Sequence, residues 1–357
     1  MTARLAHRSR GSGLLGGIPI GVVLAVFTAA LVVSALVAVG LGPVSIAPGE
    51  VTSVVGAHLT GGGAPGPSDF IVWNLRVPRV LQGVSVGAGL AVAGLLTQAM
   101  VRNPLGEPFI LGLTSGAGVG AVLVLTTVGA GLAGLLTLPL AAFGGAVVAA
   151  LVVFGFSRTA GRIQAGRMVM TGIAVGQLLA GVISFLLLRT EDVDGQQQIL
   201  FWILGSLAGA QWPLALTCAA VVLVLVVVSA AGGGRLNLLV LGDDGAASLG
   251  LDAARARGVL LVVVALLTGT VVAVSGSIGF IGLIVPNLTR LLVGADHRRA
   301  LPVTALLGAL LIVWADTAAR LLLAPTELPI GILTAVIGVP LFLVILRRSA
   351  AGTVGLS

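Results

Sequence analysis

The sequence predicts an all-α, polytopic integral membrane protein with about ten transmembrane helices. The 357-residue chain is 57% hydrophobic, only 9% charged, and has a mean hydropathy of +1.17. Its apolar runs are roughly 20 residues long, the length a helix needs to cross a hydrocarbon core of about 30 Å. The runs are continuous and not the roughly ten-residue alternations of a barrel, so the spans satisfy their backbone hydrogen bonds internally as helices.

The basic start "MTARLAHRSR" opens a tail over residues 1–17 and leads into an apolar run from Ile18 to Leu41. That run is long for a signal-peptide core, and nothing after it reads as a soluble domain, so it is the expected first span. Further spans are expected at Val80–Met100, Phe109–Thr127, Leu136–Phe156, Met168–Leu188 and Pro213–Ser229. The last four are Val259–Ser275, Ile278–Val293, Pro302–Leu323 and Gly331–Leu346, with a second tail at 347–357. With both termini placed in the cytoplasm, fifteen arginines fall at inner ends and only Arg76, Arg79, Arg189 and Arg320 outside. That bias follows the positive-inside rule and puts the charged insert at 238–257 in the cytoplasm. Gln196–Trp212 is too short and glycine-broken for a span and is expected as a partial helix at the outer surface.

Residues 138–146 ("LPLAAFGGA") and 301–309 ("LPVTALLGA") agree at five of nine positions and begin spans of opposite direction. Such a weak inverted repeat suits a transporter, and chance similarity in Ala/Gly/Leu-rich helices is its rival explanation.

Several functions are excluded. All 19 basic residues are arginine, so the chain has no lysine for a Walker phosphate loop or a Schiff base. The single cysteine, Cys218, cannot form an intramolecular disulfide, and His7, His58 and His297 lie far apart, which gives metal clustering no support. The net charge of +7 is spread over short loops and forms no nucleic-acid patch. No Ser/His/Asp, Cys/His or paired-carboxylate set has useful spacing, so no catalytic residue, cofactor or metal site is expected. Gln98, Asn287 and Asp316 are the few polar candidates near spans and suggest a pathway or packing. Arg76, Arg79 and Arg320 read as interfacial anchors, or together as a surface for an acidic partner, with an Asp316–Arg320 helical ion pair as the plainer reading of the third. "RNPLGEPFILG" (102–112) reads as an interhelical connection. "GFIGLIVPNLTR" (279–290) reads as a broken or kinked short span.

Several segments occur together in one order: "LRVPRVLQGVSVGAGLAVAGLLTQAMVRNPLGEPFILGLTSGAGVG" from Leu75, "FWILGSLAGAQW", "SLGLDAARARG", "GFIGLIVPNLTRLLVGADHRRALP", "DTAARLL" and "ELPIGILTAVIGVPLF". This series resembles the FecCD-type permeases of bacterial ABC importers for ferric siderophores, haem and cobalamin. The resemblance implies a non-enzymatic transport subunit in the inner membrane, surrounded by lipid and paired with a second permease copy or homologue. It also implies two ATP-binding subunits, which bind the ATP, and an extracytoplasmic substrate-binding protein. It further implies an ATPase-coupling surface at Leu241, Gly242, Ser248, Leu249, Gly250, Leu251 and Arg255, and binding-protein docking by Arg76, Arg79 and Arg320. A gate and pathway are implied at Gln164, Gly166, Arg167, Gly279, Gly282, Pro286 and Asn287. Asn287 departs from the His that family members often carry there. A ferric siderophore is the expected cargo, ahead of haem or cobalamin. A secondary transporter without an ATPase is the competing class, and a membrane enzyme is third.

Overall fold

The computed structural model describes residues 13–63, 66–128, 135–159, 162–191, 193–324 and 326–353, with side chains up to Leu343. Most of the predicted N-terminal tail, with His7, lies outside the described residues, as do residues 354–357.

In chain order the helices are α1 (Ile20–Gly40), α2 (Pro48–Leu59) and α3 (Pro67–Asp69), which runs through a widened turn at Phe70–Arg76 into α4 (Val77–Val101). A tight turn at Pro108–Leu111 leads to α5 (Leu113–Thr127), and α6 (Thr137–Phe156) follows. A two-residue antiparallel ladder, β1 (Arg158–Thr159) with β2 (Arg162–Ile163), then starts α7 (Ala165–Arg189). After it come α8 (Val193–Leu204), α9 (Trp212–Ala231), α10 (Gly233–Val240), α11 (Asp243–Ser248), α12 (Ala253–Ser275), α13 (Ile281–Val293), α14 (His297–Leu322) and α15 (Ile330–Thr353).

Seven of these helices are long and apolar enough to span a bilayer, and α5, α13 and the Ile330–Leu343 part of α15 are shorter apolar helices. Together they occupy the ten expected spans. Two of the shorter helices are preceded by irregular backbone, the Pro108–Leu111 turn before α5 and residues 276–280 before α13, which membrane spans tolerate where it is packed inside protein. The last helix runs beyond the predicted boundary at 346, so the start of the second predicted tail is helical. α8 covers the first part of the expected partial helix, and Trp202 on it packs, partly buried, against the main core.

α4 is the hub: nearly every residue from Pro78 to Met100 is buried. Helices in lipid gain nothing from apolar burial alone and associate through close packing, so small residues decide who touches whom. Two "GAG" triplets show this. A Cβ on Gly87 of α4 would strike the Gly308 carbonyl of α14, and one on Gly116 of α5 would strike the Gly145 carbonyl of α6. Gly145 and Gly308 are the matching positions of the two nine-residue echoes, so the echo has a packing basis: each copy brings one glycine to a backbone-to-backbone crossing.

Two aspartates start helices in the expected manner. Asp252 accepts from Arg255 N–H at 3.0 Å at the head of α12, and Asp296 accepts from Arg298 N–H at 3.0 Å at the head of α14. Near the N-terminus, Leu14 and Leu15 donate to the Leu291 and Leu292 carbonyls, and Arg299 holds the Gly16 and Ile18 carbonyls at 3.1 and 2.8 Å. This strap fixes the entry of α1 against the end of α13.

Candidate coupling foot, gate and outer arginine cluster

The charged insert forms a foot at one end of the bundle. Gly242 (φ 95°) turns the chain out of α10, the short α11 follows, and Gly250 (φ 82°) turns it back toward α12. Both positions need a left-handed backbone, which glycine adopts without a Cβ penalty. Leu239, Ala246 and Ala253 form a small core under the foot, and Leu251 packs against it. Leu241 and Leu249 instead stand in the open, 61% and 58% exposed. Ser248 donates to the Gly245 carbonyl at 2.9 Å, and Arg255 makes an exposed ion pair with Asp252 at 3.2 Å. The coupling candidates therefore divide: Leu241, Ser248, Leu249 and Arg255 are exposed, Gly242 and Gly250 shape the turn, and Leu251 packs against the core of the foot.

Beside the foot lies a groove of about 1190 Å³ lined by Phe154, Arg158, Gln164, Asp243, Asp252 and Arg255 among others. Arg158 lies over the Phe154 ring at 4.2 Å. Gln164, Gly166 and Arg167, the expected gate, are exposed where α7 begins. Arg257, counted in sequence as an inner-loop arginine, is buried inside the first turns of α12.

The remaining pathway candidates sit on α13, or just before it for Gly279, and are tightly held. Gly282 is packed against Gly94 of α4, and Gly279 faces the Phe109 ring. Pro286 is buried and has no N–H to give the Gly282 carbonyl four residues back. Gln98 of α4 supplies the missing donor at 3.1 Å. Asn287 donates to the Leu283 and Pro104 carbonyls at 2.7 and 3.1 Å, and Arg290 donates to Asn287 Oδ1 at 2.8 Å and to Gln98 Oε1 at 2.5 Å. The other end of α13 is capped by Glu107, whose carboxylate accepts from Phe280 N–H at 2.7 Å. A helix start presents unpaired donors and partial positive charge, so a carboxylate fits there. The 102–112 segment is thus a clamp for the broken helix, more than the plain connection its sequence suggests.

The three arginines expected on the outer side are turned inward. Arg76, Arg79 and Arg320 are 6%, 9% and 3% exposed. Arg76 donates to the Val39 and Gly40 carbonyls at 2.9 and 3.0 Å and also to the Val44 carbonyl. Arg320 reaches the Leu41 and Ala38 carbonyls at 3.0 and 3.1 Å and lies 3.2 Å from Asp316. Apart from Val44, these are the end carbonyls of α1, which has no basic residue in its own last turn; cations from two other helices complement them. Arg79 grips Asp316 (2.8 to 3.1 Å) and Glu327 (2.9 and 3.0 Å). The helical Asp316–Arg320 pair is present, within a larger cluster that offers little free charge to a partner in this conformation. Next to α3 on the neighbouring surface, His58 stacks on Trp73 at 4.3 Å and pairs with Asp69 at 2.7 Å.

Two features escaped sequence reasoning. α7 buries only Met168 and Gly172, and its mid-helix Gln177 is exposed. A polar side chain on lipid is costly, so this face suits a wet path or a second protein surface. The signal was one Gln inside an apolar run. The other is the part Glu107 plays, which depends on where the chain folds back.

The FecCD transport family model matches residues 30–348. The cobalamin import system permease of Halobacterium salinarum is 39% identical over 285 residues, covering 80% of this chain and 75% of that protein. The hemin transport system permease of Yersinia pestis is 41% identical over 280 residues, covering 78% and 83%. A solved structure described as a metal-chelate type ABC transporter in an inward-facing conformation is 32% identical, with a TM-score of 0.80, and the match covers 92% of this chain and 99% of that one. The chain therefore belongs to the FecCD transport family, whose members are permease subunits of ABC importers.

Proposed function

We propose that this chain is the membrane conduit of an ATP-driven importer for a bulky metal chelate, with a ferric siderophore as the cargo the motif resemblance favours. It is a transport subunit and not an enzyme, and ATP hydrolysis belongs to a separate chain. The observation that carries the reading is the foot: a short helix braced from beneath, with Leu241 and Leu249 exposed at one end of the bundle. Exposed leucines on a polar insert are the anchors expected where a cleft on another protein receives them. ATP-bound and ATP-free partners with different affinity for the foot would then bias a two-state bundle.

A second copy of the chain, or a homologue, fits against the uncovered face of α7, which puts Gln177 at or beside the path. The arginine bias places the foot and both termini in the cytoplasm and the arginine cluster outside. Because that cluster is occupied internally, its proposed contribution to docking is to shape the outer surface that a binding protein meets. The named cargoes of the two relatives, cobalamin and hemin, are metal-centred macrocycles; they are the alternatives to a ferric siderophore.

The test is uptake into proteoliposomes containing the purified permease, its ATPase and its binding protein. ATP-dependent accumulation of a ferric siderophore, and none of cobalamin or haem, is the expected result. Concentrative uptake by the permease alone would refute the mechanism, and uptake of haem or cobalamin alone would replace the cargo.

A further inference from the structure

Arg257 is among the largest side chains fully enclosed in the protein, 1% exposed, yet it sits one turn inside α12 at the foot end. Its guanidinium joins four segments. Nη1 donates to Asp243 Oδ2 at 2.9 Å and Nη2 donates to Asp243 Oδ1, so the first residue of α11 is held by both oxygens. Nη1 also reaches the Ile163 carbonyl at 3.3 Å, at the end of β2, and Nε reaches the Met100 carbonyl at 3.4 Å, in the last turn of α4. Ile163 immediately precedes Gln164, the residue that starts α7. Arg102, just past α4, adds a looser contact to Asp243 at 3.8 Å.

The arrangement is directional. Asp243 is 56% exposed on the partner-facing foot, whereas the arginine that grips it is sealed in the bundle. A planar fork fixes several acceptors at once, which a point-charge ammonium cannot do. If the foot shifts, the sealed guanidinium must either follow its carboxylate or lose its counter-charge inside the protein, which is strongly unfavourable. Following it pulls on the Ile163 carbonyl and so on the start of α7.

We propose that Arg257 is the positioning residue that transmits movement of the foot, through Asp243, to the β-ladder and the gate end of α7. This rests on the importer reading above. A purely structural arginine would hold the foot in place without linking its motion to α7.

The experiment uses the whole complex of permease, ATPase and binding protein in proteoliposomes, with Arg257→Lys and Asp243→Asn compared with the unaltered chain. Spin labels are placed at Ala247→Cys on the foot and Met170→Cys in the second turn of α7, both exposed positions, after Cys218→Ala. Arg257→Lys keeps a charge for Asp243 but loses the fork to Ile163 and Met100. Expected are normal retention of the ATPase, a foot label that still responds to ATP, an α7 label that no longer does, and about a tenfold fall in cargo moved per ATP, within the usual range of site-to-site coupling. Asp243→Asn, which retains an acceptor, should show a milder form of the same split. Equal movement of both labels and unchanged cargo per ATP in Arg257→Lys would overturn the proposal. So would loss of ATPase retention and of thermal stability in both variants, since that marks a framework role alone. No ATP response in the unaltered complex would refute the importer reading itself.

Discussion

Replacing Arg79 with alanine separates an internal strut from a free docking charge. The side chain makes five hydrogen bonds, three to Asp316 and two to Glu327. Asp316 is 3% exposed at its side chain, so it cannot be rehydrated in place, and breaking one partner out of a buried ion pair typically costs 3–5 kcal/mol. Two features lower that figure. Arg320 stays 3.2 Å from Asp316, and Glu327, 34% exposed, can turn to water. The expected loss is therefore near the bottom of the range, about 3 kcal/mol. Adding Asp316→Asn should recover part of it by removing the stranded charge. Unfolding of the purified permease in detergent, followed by the fluorescence of its tryptophans, measures the effect without any partner. An exposed docking arginine would instead change stability by no more than about 0.5 kcal/mol while lowering uptake. A variant that is as stable as the parent yet transports poorly would refute the internal assignment.

Gly87→Val or Gly308→Val should prevent α4 and α14 from closing and abolish recovery of folded protein, since backbone atoms block the new Cβ at both sites. Gly144→Ala, which meets nothing within 4 Å, should leave detergent stability unchanged. Leu249→Asp should weaken ATPase retention with stability intact, whereas Leu251→Asp should destabilise the permease itself, because Leu251 packs against the core of the foot; pull-down together with melting distinguishes them. The Asp296 carboxyl is held below its usual range first by the Asn237 amide at 2.7 Å and then by the Arg298 N–H. A lowered folded-state pKa means the cap is fully effective above the ordinary carboxylate value of about 3.9 and is lost as pH falls through the lowered one. Asp296→Ala should cost about 1 kcal/mol near neutral pH, and the gap from the parent should close on acidification. A gap that persists at strongly acidic pH would count against the carboxylate cap.

The inward arginines are evidence of a general limit. Sequence position put Arg76, Arg79 and Arg320 near the outer surface, but charge that appears free beside a span can be claimed by carbonyls and acids far away in the chain. Here the acceptors are 32 to 37 residues away for Arg76 and 237 to 248 residues away for Arg79. Periodicity and local spacing carry no information at such separations. The same holds for Glu107 and Phe280, 173 residues apart.

By itself, the sequence determined the helical membrane class, the ten apolar segments, a charged and glycine-broken insert at 238–257 and the family resemblance, because length, hydropathy, glycine turns and motif order are local properties. Tertiary structure alone decided which side chains of the foot face outward, that Pro286's missing donor is replaced by Gln98, and that Arg257 joins foot, ladder and α4. Those outcomes depend on which glycines let helices approach and on which buried polar groups find partners, and both are settled only when distant segments are packed together.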